Sequence, residues 1–197
     1  PTDTVTQSFV RGDGSKVEVP TMWLWDGEHR VADFEGGRAL DLDYEDGELA
    51  MLILLPSESD GLASLESKLT YEWLGKVVSD LTPRKIGVGL PRWKSKYELE
   101  LTPLLQKMGM PSAFQPAKAD FDGIAKAQGL FISDVIHKAV VQVDEEGTVA
   151  AAATGVTVSV TSAPPTFLAN HPFVYIIRDR LTGSLLFMGR VADPSAG

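Results

Sequence analysis

Few residues in this chain have both the type and the spacing for catalysis. The three histidines are His29, His137 and His171, and none stands in a His-x-x-x-His or His-Glu pair of the kind that holds a catalytic metal. His137 lies in an apolar run, where a hydrogen-bonded core histidine is expected rather than a proton carrier. Ser95 and Ser184 lack the Gly-x-Ser-x-Gly turn that presents a nucleophile. Asp144, Glu145 and Glu146 are consecutive acids. Successive side chains of an extended chain point to opposite faces, so a solvated strand end fits them better than a metal site or an acid–base pair. No phosphate-binding glycine loop precedes a helix. Arg11-Gly12-Asp13 is a possible adhesive triplet, but a hairpin turn accounts for its Gly and Asp. No catalytic residue, metal ligand or cofactor is expected, and the chain does not read as an enzyme.

The unusual chemistry lies in a stretch without reactive groups. From Gly147 to Ala163 every residue is Gly, Ala, Ser, Thr or Val, and no charged side chain follows Glu146 until Arg178. In extended form Thr148, Ala150, Ala152, Thr154, Val156, Val158 and Val160 would share one face. Side chains this small and uncharged can enter a packed sheet without a desolvation penalty. Pro164-Pro165 would stop such a strand, because proline donates no ladder hydrogen bond. An ordinary sheet strand explains the residue types equally well. A helix is opposed by Gly155 and the Val/Thr run, and a flexible linker would be richer in Gly and Ser.

The surrounding pattern is mostly strand. Residues 2–10 and 17–25 flank the turn Arg11–Ser15, and 29–34, 38–44 and 49–56 follow as three more strands. Leu40, Leu42 and Tyr44 alternate with Asp41 and Asp43, as in a half-buried strand, whereas Met51–Leu55 is apolar throughout and should be central. Leu62, Leu65 and Leu69 share a helical face, and a second helix spans Tyr71–Leu81 until Thr82-Pro83 breaks it. Residues 84–89 and 91–101 read as strands, Thr102-Pro103 opens a short helix stopped by Gly109, and 130–143 reads as one long strand. Phe114, Phe121 and Ile124 should anchor the intervening loop. Residues 171–177 and 185–191 form a closing hairpin around Thr182-Gly183. Strands with helices grouped between them predict an α+β fold with mixed sheets, in a single domain over 1–197.

Composition narrows the classes. The chain has 197 residues, a formal charge of −9 and no cysteine. The acidity argues against nucleic-acid binding, and disulfides and thiolate metal sites are excluded. No apolar run approaches a membrane span. A chain that opens inside a strand reads as the later part of a longer protein.

Several segments together resemble the serpin family. The run Lys138-Ala139-Val140 and then Asp144-Glu145-Glu146-Gly147-Thr148-Val149-Ala150-Ala151-Ala152-Ala153-Thr154 is similar to the hinge of inhibitory serpins. Phe167–Ile177 is similar to the serpin signature, and Phe187–Pro194 to the family's C-terminal strand. Val17–Met22 and Leu54-Leu55-Pro56 also fit. The resemblance covers the whole chain but only the C-terminal half of a serpin, of an inhibitory, prokaryotic type. It implies a serpin-like α+β fold with a long reactive-centre loop over 147–163, hinged at Gly147–Thr154. It implies inhibition of a serine protease by suicide trapping: the loop is cut, the acyl-enzyme forms, and the loop inserts into the large sheet. Counting from the hinge places the scissile bond at Thr161-Ser162, with Val160-Thr161 as the alternative. Thr161 suits an elastase-like, chymotrypsin-like or subtilisin-like protease. The resemblance also implies that Glu145 and Arg92 pair where the loop enters the sheet. His137 resembles the shutter histidine, whose partners the resemblance places in the N-terminal half. That half is the second implied partner. The alternative is a non-inhibitory serpin, a carrier or chaperone, or a cleaved fragment without activity of its own. A cell-envelope or extracellular setting accords with the family.

Overall fold

The computed structural model describes residues 3–25, 27–124, 129–145 and 165–196. The chain divides into two compact units, one built from Pro1–Lys94 and Gln142–Gly197 and the other from Ser95–Val141.

The first unit contains two sheets. Strands β1 (Asp3–Val10) and β2 (Lys16–Leu24) form an antiparallel hairpin. Its turn is closed by the Asp13 carboxylate, which accepts from the Ser15 amide, and by Gly14 at φ 82°. Only glycine adopts that backbone freely. Strand β3 (Glu28–Phe34), β4 (Gly37–Asp43) and β5 (Leu49–Pro56) continue as an antiparallel meander. Helices α1 (Leu62–Lys68) and α2 (Tyr71–Ser79) follow, then β6 (Thr82–Lys85) and β7 (Gly87–Pro91). The unit is completed by β10 (Thr166–Leu168), β11 (Phe173–Asp179) and β12 (Leu185–Val191). The strand orders are β1-β2-β7-β10 and β12-β11-β5-β4-β3-β6. β10 runs parallel to β7, so the four-stranded sheet is mixed, whereas the six-stranded sheet is antiparallel throughout.

The period-two pattern of β5 shows why it is central. Leu52 and Leu54 pack with Ala39, Val174 and Ile176 beneath Leu65, Leu74 and Val77 of the two helices. Met51 and Ile53, on the opposite face, are equally buried. Both faces are covered, so the strand carries apolar residues without alternation. Helix α2 is started by Thr70, whose hydroxyl accepts from the Trp73 amide.

The second unit holds most of β8 (Trp93–Glu100) and β9 (Ile136–Val143), which pair as a two-stranded sheet, and α3 (Thr102–Lys107).

Three sequence expectations are corrected. The strand expected over 130–143 begins only at Ile136. Upstream, the Ile132 amide donates to the Ala113 carbonyl and the Val135 amide to the Thr102 hydroxyl, so these groups leave no ladder. The strand expected over 84–89 is two strands in two sheets. At Ile86 the backbone turns to the Gly27 carbonyl; β6 pairs with β3 before it, and β7 pairs with β2 after it. Thr82-Pro83 therefore opens a strand as well as following a helix, which proline permits at a sheet edge. Of the expected loop anchors Phe114 is buried, but Ile124 is 81% exposed.

Candidate functional site

The small-residue segment lies between two ends that the structure describes, Glu145 and Pro165. The residues assigned to its hinge, Gly147, Thr148, Val149, Ala150, Ala151, Ala152, Ala153 and Thr154, lie outside the described residues. So do Thr161 and Ser162.

At the near end, β9 finishes at Val143, which is buried and fixes the path of the chain. Two residues on, one Glu145 carboxylate oxygen accepts from both Nε and Nη2 of Arg92, the Nε contact measuring 2.9 Å. The same oxygen accepts from the Thr4 hydroxyl. Arg92 sits in the one-residue gap between β7 and β8, and its amide is held by the Pro20 carbonyl at 2.9 Å. Two separate parts of the chain, at Thr4 and Arg92, thus converge on Glu145. The Arg92 hydrogen bonds hold its carboxyl below the usual range against a partial burial penalty, with the Thr4 hydroxyl adding to the same effect. The carboxylate stays ionised at neutral pH. Arg92 is about half exposed, so the pair contributes little to global stability and more to direction. Beside it, the Gln142 amide donates to Asp144 at 2.8 Å.

At the far end, the Pro165 carbonyl accepts from the Gly87 amide and the Gly89 carbonyl accepts from the Ala169 amide, each at 3.0 Å. Phe167 between them is fully buried. A side chain at Gly89 would meet Leu168 at 2.8 Å and the Trp23 ring at 3.0 Å, so glycine there lets β10 and the tryptophan approach β7. Beyond β10, the Asn170 carbonyl accepts from the Val10 amide, and His171 lies 2.6 Å from the Pro56 carbonyl through Nε2 and 2.9 Å from Asn170 Oδ1 through Nδ1.

The histidines do not converge on one site. His171 bridges two segments, His29 is half buried with Nε2 unpartnered, and His137 is exposed on β9. The expectation of a core histidine at 137 is thereby corrected: its face of β9 has no cover among the described residues. Among those residues no His, Asp or Glu group could hold a metal ion. The Arg-Gly-Asp triplet has structural work at both charged ends. Arg11 pairs with Asp193 at 2.6 Å, and Asp13 closes its own turn. Sequence reasoning missed Thr4, which carries no signal beyond being one hydroxyl among several on β1.

Residues 1–194 match the family model described as serpin (serine protease inhibitor). Serpin B11 of Homo sapiens is 37% identical over 98% of this chain and 50% of its own length. Serpin B8 of Bos taurus is 44% identical over 80% of this chain and 43% of its own. Among solved structures, uncleaved ovalbumin superposes with a TM-score of 0.79 at 33% identity, covering 98% of this chain and 49% of that one. The chain spans about half the length of the curated relatives it matches.

Proposed function

Because the chain belongs to the serpin family, we propose that it is the bait-bearing half of a serine protease inhibitor that traps its target as a suicide substrate. The supporting observation is a run of only small, uncharged residues, Gly147–Ala163, strung between two anchored ends. Glu145, Arg92 and Thr4 fix where the segment leaves the body, and β10 fixes where it returns. In this reading 147–163 is the reactive loop, Gly147–Thr154 its hinge, and Thr161-Ser162 the bond offered to an elastase-like, chymotrypsin-like or subtilisin-like enzyme. The protease serine attacks the Thr161 carbonyl, the Ser162 amine leaves with a proton, and an acyl-enzyme forms. The freed arm carries no charge and no bulky side chain, so it can enter the large sheet as a strand. The strained enzyme cannot complete hydrolysis. Loop insertion of this kind is one of the general routes by which a strained fold switches.

The receiving sheet needs more strands than β8 and β9, which make only a pair among the described residues. The N-terminal half of the same serpin is therefore the second partner, and His137 is a shutter residue facing it. A non-inhibitory carrier or chaperone is the other reading; the absence of charge, bulk and proline from Gly147 to Thr154 weighs against it.

The test is to mix the chain and its N-terminal half with an elastase-like serine protease and analyse the products by denaturing gel and intact mass. The expected result is a covalent adduct together with a peptide beginning at Ser162. Clean cleavage with full protease activity retained would overturn the trapping mechanism.

A further inference from the structure

We propose that Arg38 is the residue that locks the far end of the loop, a positioning role that rests on the inhibitory reading for its function but not for its geometry. Beyond the buried Phe167, β10 has only a slight ladder to hold it. It is three residues long, lies at the edge of its sheet and runs parallel to β7, its one neighbour there. Parallel pairing is the weaker kind, and three registers give few ladder bonds. Arg38 belongs to the other sheet, on β4. Its Nη1 donates to the Thr166 carbonyl at 3.1 Å, and its guanidinium carbon lies 5.6 Å from the centre of the Phe167 ring. Its Nε is 3.4 Å from Asp33, whose second carboxylate oxygen is 3.1 Å from Arg84. One planar cation thus grips a β10 carbonyl, faces a β10 ring and is aimed by a carboxylate on β3. A lysine offers no fork to divide between a carbonyl and a carboxylate, and the ring contact falls within the usual cation–π range.

The lock defines how far the bait stands from the body. Freeing Thr166–Leu168 would add roughly 10 Å of slack at about 3.3 Å per residue. The scissile bond would then be presented over a wider range of positions, and more cleavages would end in release of the protease.

The test is amide hydrogen exchange on the full chain, wild type against Arg38→Met, Arg38→Lys and Asp33→Asn. The expected result for Arg38→Met is exchange faster by about tenfold, the effect of losing one charge-assisted hydrogen bond, confined to Gly87 and the 166–170 peptide. The β5 core should be unchanged. Arg38→Lys should restore part of the protection and Asp33→Asn should lose part of it. Unchanged exchange at 166–170, or a rise shared equally with β5, would overturn the lock. A second readout, taken with the N-terminal half present, is the moles of inhibitor consumed per mole of elastase-like protease trapped; it should rise in Arg38→Met. Local loosening with no adduct from either protein would leave the lock standing and remove the inhibitory reading.

Discussion

His29 shows how one side chain ties this fold to pH. Its ring is half buried, and Nε2 has no hydrogen-bond partner. Gly27 presses on it closely enough that any side chain there would collide with the ring. Burial lowers its pKa from 6.5, and the Asp43 charge only partly opposes that. The unfolded chain therefore binds a proton at higher pH than the folded one. Stability from this residue is complete above 6.5 and is lost as pH falls from there towards the depressed folded value. The depressed carboxylates Asp13, Glu145, Asp179 and Asp193 titrate below this window. A urea midpoint measured at pH 7.5 and 5.5 should fall for wild type and fall less for His29→Gln. Equal slopes for the two proteins would show that His29 titrates normally in the fold.

Among the elements, β11 and β12 depend on one missing side chain. Tyr175 is buried opposite Gly189 and its ring lies 5.7 Å from Trp93. A Cβ at Gly189 would fall 2.5 Å from the tyrosine Cζ. Gly189→Ala must displace a packed ring and should cost about 1–3 kcal/mol. At about 2–4 °C per kcal/mol for a chain of this size, a thermal melt will resolve it, and an unchanged midpoint would mean that the hairpin simply yields. Much at this scale was legible in sequence. Met51–Leu55 announced a central strand because only burial on both faces tolerates unbroken apolarity. The Leu40–Asp43 alternation misled. Asp41, read as solvent-facing, is 2% exposed and bonded to Arg178 at 2.8 Å and Arg30 at 2.6 Å. An acid's partner on a strand far along the chain leaves no local trace. The site divides in the same way. Glu145 and Arg92 carried family motifs, whereas Arg38 works through a backbone carbonyl and a ring that no spacing rule connects to it.

For the molecule as a whole, the exposed apolar groups show where cover is needed. Leu185, Leu186, Phe187 and Met188 are each 40–52% exposed, so both faces of the first half of this edge strand, β12, are uncovered among the described residues. In the second unit Tyr97, Leu99, Ile136 and Val140 are exposed on the two-stranded sheet, and a two-stranded sheet alone is marginal in water. We expect the chain alone to bind an apolar dye such as ANS and to lose most of that signal when the proposed N-terminal half is added. Dye binding unaffected by that half would argue against it as the cover. The strand order carries one more consequence. β5 lies between β4 and β11, and a ribosome makes β4 and β5 together but β11 only near the end of this sequence. Throughout that interval the most apolar strand of the sheet has one neighbour and a bare edge. Pairing so distant in sequence is slow and open to wrong partners. The nascent chain therefore passes through a period in which Met51–Leu55 has met only one of its two sheet neighbours and is open to wrong pairing.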